Sequence, residues 1–156
     1  WPEFPQTGFG WPIAPEYLGT VIENLAERYG HRLPPIIITE GGASFPDELQ
    51  DDDRIDYLAR HIAVAAADPR VRGYIVWSLI DNFEWAEGYD PRFRFGLYGV
   101  NFDTQERTLR KSGEFYAEIA GTGKLSSEMV SRYAPGLEKK LFPGTGPEDF
   151  QVVELR

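Results

Sequence analysis

Residues 36–42 read Ile-Ile-Ile-Thr-Glu-Gly-Gly, a β-branched run that stops at Glu40 and is followed by two glycines, the usual look of a strand entering a functional loop. A second apolar run ends over residues 77–89 in Trp-Ser-Leu-Ile-Asp-Asn-Phe-Glu-Trp-Ala-Glu-Gly-Tyr, which mixes indole rings, carboxylates and an amide. That mixture suits a sugar, whose C–H faces stack on aromatic rings and whose hydroxyls need paired acceptors. Trp77, Glu84 and Trp85 therefore read as a saccharide platform at the mouth of one strand, and Glu40 as a carboxylate for chemistry at the mouth of another. Taken singly, each residue has a plainer reading. An isolated Thr-Glu-Gly-Gly is most often a loop carboxylate at a glycine turn, and a strand tryptophan most often belongs to a core. Glu87 fits a solvated loop position, and His31 and His61, at or inside helices, lack metal-ligand spacing and read as surface or helix-end residues.

The two segments together resemble the C-terminal third of the family 1 glycoside hydrolases, the retaining β-glycosidases that include β-glucosidases. Thr39-Glu40-Gly41-Gly42 resembles the family's Thr-Glu-Asn-Gly nucleophile motif, and residues 77–89 match its glycone-binding signature almost letter for letter. Arg-Ile-Asp-Tyr-Leu at 54–58, Arg-Phe-Gly-Leu at 94–97, Arg-Thr-Leu at 107–109 and Lys111-Ser112 follow in the family's order, so the likeness covers roughly residues 8–121. Retaining hydrolysis uses two carboxyl groups about 5–5.5 Å apart, one attacking the anomeric carbon and one protonating the leaving oxygen and then activating water. The resemblance implies that Glu40 is the nucleophile, that Glu84 accepts hydrogen bonds from glycone hydroxyls, and that Trp77 and Trp85 pack on the glycone. It also implies a cis peptide bond at Trp77–Ser78 and a rim contact from Phe95, with Phe93 as the alternative because residues 90–95 form a longer segment than usual. The family's acid/base sits in an Asn-Glu-Pro motif on an earlier strand, and this chain contains no such tripeptide. Gly41 departs from the family pattern, removing a side-chain amide beside Glu40 and loosening the backbone there. Relatives acting on 6-phosphoglycosides replace the Glu-Trp pair by small and polar residues. Retention of Glu84-Trp85 therefore implies an unphosphorylated glucoside, galactoside or fucoside, and no metal or organic cofactor is called for.

The elements that must position these residues are legible from periodicity. Leu18, Val21, Ile22, Leu25 and Tyr29 recur at helical spacing behind Pro15, with Gly30 just past the end, which predicts a one-faced helix over 15–29. Pro34-Pro35 precedes a strand at 36–39 that lacks alternation and is expected to be parallel and covered on both faces. Asp51, Asp52 and Asp53 favour the start of a helix whose stripe is Ile55, Leu58, Ala59, Ile62, Ala63 and Ala66, ending at Asp68-Pro69. A strand at 73–80, a short strand and turn at 97–105, and a helix at 112–120 closed by Gly121 complete the pattern. Repeated βα units demand a parallel sheet with functional residues at the carboxyl ends of the strands. The expected fold is α/β, and the resemblance implies that it is the C-terminal part of a (β/α)8 barrel comprising about its last two βα units. Residues 1–14, with three prolines, suit an ordered loop, so 1–121 is the barrel segment and 122–156 is expected to be an irregular, draped tail without function.

A chain of 156 residues buries a real core, but a (β/α)8 barrel takes typically ~250 residues, so this one reads as a piece. Two βα units alone leave an open sheet edge and apolar faces. The net charge of −9 disfavours nucleic acid and anionic membranes, whereas a neutral sugar meets no such repulsion. The absence of cysteines is compatible with any compartment, while no run approaches the roughly 20 apolar residues of a membrane span and residues 1–5 show no signal-peptide pattern, so the expectation leans toward the cytoplasm. Two functions compete: a β-glycosidase segment that works with an N-terminal barrel half, and an inactive remnant serving at most as a carbohydrate-binding or structural module.

Overall fold

The computed structural model describes residues 3–144 and 152–154; Trp1 and Pro2 of the opening loop and the remainder of the expected tail lie outside the described residues. Helix α1 (Pro15–Tyr29) starts with proline in its first turn and closes at Gly30 with φ 54°. Strand β1 (Ile36–Gly41) follows a 3₁₀ turn, and helix α2 (Asp52–Ala67) leads into strand β2 (Val71–Val76). β1 and β2 are parallel neighbours, pairing Ile37 with Gly73, Ile38 with Tyr74 and Gly41 with Val76. Strands β3 (Tyr98–Val100) and β4 (Arg107–Leu109) form an antiparallel ribbon before helix α3 (Lys111–Thr122). Helix α3 outruns the expected stop at Gly121 and closes at Gly123, in the left-handed region. The α/β order and the helix-before-strand rhythm agree with the sequence. No helix among the described residues is long and apolar enough to cross a membrane.

Coverage of the sheet differs from expectation. Ile36, Ile38, Val71 and Tyr74 face α1 and α2, packing with Leu18, Ile22 and Ala65. Ile37 and Ile75, on the opposite face, are 56% and 54% exposed. One face of β1 and β2 is therefore bare, because the described residues contain only two strands of this sheet and nothing closes over it. The second strand is also shorter than the predicted 73–80. Past Val76 the chain leaves β1 and takes a new partner: Ser78 N–H donates to the Phe95 carbonyl (3.2 Å), Leu97 N–H to Ser78 (2.9 Å) and Tyr98 N–H to Leu79 (2.9 Å).

Of residues 122–156, expected to drape, described ones enter the core. Strand β5 (Lys124–Ser126) pairs antiparallel with β6 (Val152–Glu154), and helices α4 (Ser127–Tyr133) and α5 (Glu138–Leu141) lie between them. Leu125, Met129, Val130, Leu137 and Phe142 are buried in one cluster with Ile55, Leu58, Ile62, Phe115 and Ile119. The apolar residues of this stretch are sparse, yet these five are all used for burial, and the Ser126 hydroxyl caps α4 by accepting from Met129 N–H at 3.1 Å.

Candidate active site

Glu40 stands at the carboxyl end of β1, and Trp77 follows the carboxyl end of the parallel neighbour β2; Trp77 N–H donates to the Gly41 carbonyl at 3.2 Å. Both side chains are exposed on the described surface. The two glycines after Glu40 are dictated by close approach. A Cβ at Gly42 would overlap the Trp77 carbonyl, and a Cβ at Gly41 would overlap the Tyr74 ring at Cζ and its hydroxyl. Here, then, the place of the family's usual asparagine side chain is filled by Tyr74, whose hydroxyl is buried without a hydrogen-bond partner and whose burial pushes its acidity down, raising its pKa.

The loop after Trp77 is rigidly built. The Trp77–Ser78 bond is cis. Ser78 Oγ donates to the Ile80 carbonyl (2.8 Å) and receives Asn82 Nδ2 at 3.5 Å. Asp81 is buried and accepts from Gly96 N–H (2.8 Å), Val100 N–H (3.3 Å) and both Nη atoms of Arg110 (2.9 and 2.8 Å). Arg110 in turn donates to the Gly96 carbonyl (2.6 Å), the Glu48 carbonyl (3.1 Å) and Asp47. From this anchor the chain runs three residues to Glu84, where a tight turn pairs Glu84 with Gly88. Glu84 Oε1 is buried and has no hydrogen-bond partner, and desolvation, reinforced by the negative charge of Asp81, raises the Glu84 pKa. An acceptor removed from water and left unpaired is costly unless a donor arrives. Trp85 is 92% exposed and meets Phe83 edge-on, with centroids 6.5 Å apart. Glu87 N–H merely closes the turn onto the Glu84 carbonyl.

Phe95 is not at the rim. It is 6% exposed, tucked beside Phe9 with centroids 5.9 Å apart. Phe93, the alternative, lies half-buried and stacks on Phe9 at 4.7 Å, and Phe9 stacks on Trp11 at 5.2 Å. The extra residues of the 90–95 segment place Phe93 outward: Arg92 folds back on Asp90, and Arg94 and Phe45 exchange backbone hydrogen bonds of 2.9 Å. The Phe9–Trp11 pair escaped sequence reasoning. Its only signal was a proline- and aromatic-rich opening loop without periodicity. The buried arginines escaped for another reason: Arg54 and Arg110 look like surface charges, and only the fold surrounds them with carbonyls. His31 is exposed in the 3₁₀ turn, whereas His61 lies within α2, stacked on Tyr57 at 3.9 Å, where burial lowers its pKa.

Glu40 and Trp77 thus stand exposed at neighbouring ends of parallel strands, while the unpaired buried oxygen of Glu84 and the exposed Trp85 lie farther along the loop that leaves β2; groups of these kinds are able to accept sugar hydroxyls and to offer a nucleophile. Comparison with known proteins gives the family. The chain is 44% identical over 124 residues to the β-glucosidase of Agrobacterium sp., matching 74% of this chain and 26% of that protein. It is 39% identical over 134 residues to a 6-phospho-β-galactosidase of Streptococcus equi subsp. zooepidemicus, with 80% and 28% covered. The solved β-glucosidase of Thermotoga maritima in complex with methoxycarbonyl-substituted glucoimidazole superposes with a TM-score of 0.69 at 39% identity, over 76% of this chain and 29% of that one. The chain therefore spans between 26% and 29% of the length of these relatives. With residues 1–125 matching the profile of glycosyl hydrolase family 1, the chain belongs to that family.

Proposed function

We propose that this chain is the segment of a retaining β-glycosidase that carries the nucleophile and the glycone platform, acting on unphosphorylated β-glycosides. Glu40 attacks the anomeric carbon to form a glycosyl-enzyme, and water later releases the sugar with retention. Trp77 and Trp85 stack on the glycone, and the buried, unpaired Glu84 Oε1 accepts one of its hydroxyls. That orphaned oxygen is the observation carrying the reading: a sugar hydroxyl supplies the missing donor, while a phosphate dianion brings no donor and would be repelled by the Glu84 carboxylate. The relatives include 6-phospho-β-galactosidases, so substrate class is decided by this corner rather than by family. Phe93, and with it the exposed Trp11, takes the rim role in place of Phe95.

The acid/base and the other walls of the pocket come from sequence outside this chain, which the bare face of β1 and β2 and the greater length of the relatives support. The preceding six βα units of a barrel are the proposed complement. The test is hydrolysis of an aryl β-glucoside by this chain joined to those units. Glu40→Ala abolishes turnover and Glu87→Ala leaves it nearly unchanged; full activity in Glu40→Ala would sink the proposal. Absence of any activity in the joined protein favours the alternative, a remnant that keeps the platform alone.

A further inference from the structure

The two strand ends are held together by a buried arginine as well as by the sheet, and its bearing on catalysis rests on the glycosidase reading above. Arg54, in the first turn of α2, is buried. Each of its three guanidinium nitrogens donates a hydrogen bond. Nε donates to Asp51 Oδ2 at 2.8 Å, Nη1 to the Ala43 carbonyl at 2.7 Å and Nη2 to the Arg94 carbonyl at 3.0 Å, and the cation lies 5.3 Å from the Phe45 ring centre. Asp51 is itself fixed by the start of α3, accepting from Ser112 N–H (2.9 Å) and Ser112 Oγ (2.5 Å).

The two carbonyls are the informative partners. Ala43 lies three residues beyond Glu40, on the loop leaving β1. Arg94 precedes Phe95, whose carbonyl accepts the Ser78 N–H at 3.2 Å, and Ser78 is bonded to Trp77. One guanidinium therefore spans the loop of the nucleophile and the segment that supports the platform. The planar fork matters, because three acceptors in one plane suit Arg and not the point charge of Lys. Arg54 shares this task with the paired backbone hydrogen bonds of Phe45 with Arg94, the Asp47 N–H donated to the Pro91 carbonyl at 2.8 Å, the cluster around Arg110 and, at the strand ends themselves, the Trp77 N–H donated to the Gly41 carbonyl at 3.2 Å.

We propose that Arg54 is a positioning residue that sets the separation of Glu40 from the Trp77 platform by clamping the Ala43 and Arg94 carbonyls. A shift of about 1 Å between reacting groups costs on the order of 10²-fold in rate, so loosening this clamp acts on the chemical step.

Arg54→Lys keeps the charge beside Asp51 but cannot hold both carbonyls. In the joined protein, kcat per folded molecule on an aryl β-glucoside falls by about 10- to 100-fold while KM changes little. Arg60→Lys, on the same helix and paired with Asp56, is the control and leaves kcat alone. An unchanged kcat for Arg54→Lys overturns the proposal. A second readout needs no activity: in the chain by itself, hydrogen exchange at the Phe45, Arg94 and Ser78 amides accelerates in Arg54→Lys, while the amides of the α2 interior keep their protection. Equal protection at those three amides overturns the clamp. Inactivity of the unmutated joined protein refutes the glycosidase reading and leaves exchange to decide the clamp. If Arg54→Lys does not fold, Asp51→Asn, which frees the guanidinium from its orienting carboxylate, is read by the same two measurements.

Discussion

Replacing Asp81 by Asn tests the anchor that carries the glycone loop. Asp81 accepts four hydrogen bonds, two from backbone amides and two from Arg110, and both side chains of the ion pair are fully buried. Asn preserves the shape and one oxygen, so the Gly96 amide at 2.8 Å can still be served. The position of Oδ2, however, becomes an NH₂ group facing the Val100 amide and an Arg110 Nη, donor against donor, and Arg110 keeps only the half-exposed Asp47 as a charged partner. Breaking one side of a buried pair typically costs about 3–5 kcal/mol. Against a total stability of roughly 5–15 kcal/mol that is a large share. With a urea dependence of about 2 kcal/mol per molar, the unfolding midpoint followed by far-UV circular dichroism drops by roughly 1.5–2.5 M. The double variant Asp81→Asn/Arg110→Met removes the stranded cation and recovers part of the loss, giving a coupling of about 0.5–3 kcal/mol in the cycle. A fall below about 0.5 kcal/mol for Asp81→Asn, the range of an ordinary surface change, refutes the anchoring argument.

Three further outcomes follow from packing and charge. Leu125→Ala, in the stretch that reads as a tail, lowers stability by about 2–5 kcal/mol in the same urea assay, because Leu125 has no exposed surface; a cost typical of an exposed site contradicts its place in the core. Gly41→Ala costs about 1–3 kcal/mol through overlap with Tyr74, and Tyr74→Leu in the same chain recovers part of it, whereas two independent, additive losses dismiss the contact. The raised Glu84 pKa means that the folded state holds this proton more tightly than the unfolded chain does. Its destabilising contribution is therefore absent below the unfolded value of about 4.3 and grows as pH rises through the folded value. Glu84→Gln accordingly raises the thermal midpoint at neutral pH, with the gain fading as the solution is acidified toward pH ~4; a gain that does not vary with pH removes desolvation as its cause.

The sequence alone determined the helices and strands that bring Glu40 and Trp77 to neighbouring strand ends. Helical periodicity over 15–29 and 52–67, a β-branched run ahead of Glu40, and capping signals at Pro15 and Gly30 are local, and local signals survive folding. The ordered series of short motifs likewise sufficed for the family. Only the tertiary structure decided whether each aromatic or charged residue faces solvent or core. Phe95 and Phe93 share composition and neighbourhood, and both rings meet Phe9, more than eighty residues away, yet one is buried and the other half-open. Leu125 and Phe142 look isolated along the chain because their partners are on α2 and α3. Arg54 and Arg110 acquire their roles only when loops distant in sequence converge, since a guanidinium reads as a surface charge until carbonyls and carboxylates from several segments surround it. Backbone conformation is set within a few residues, whereas burial and hydrogen-bond satisfaction depend on every segment that arrives, and that is where sequence reading stopped.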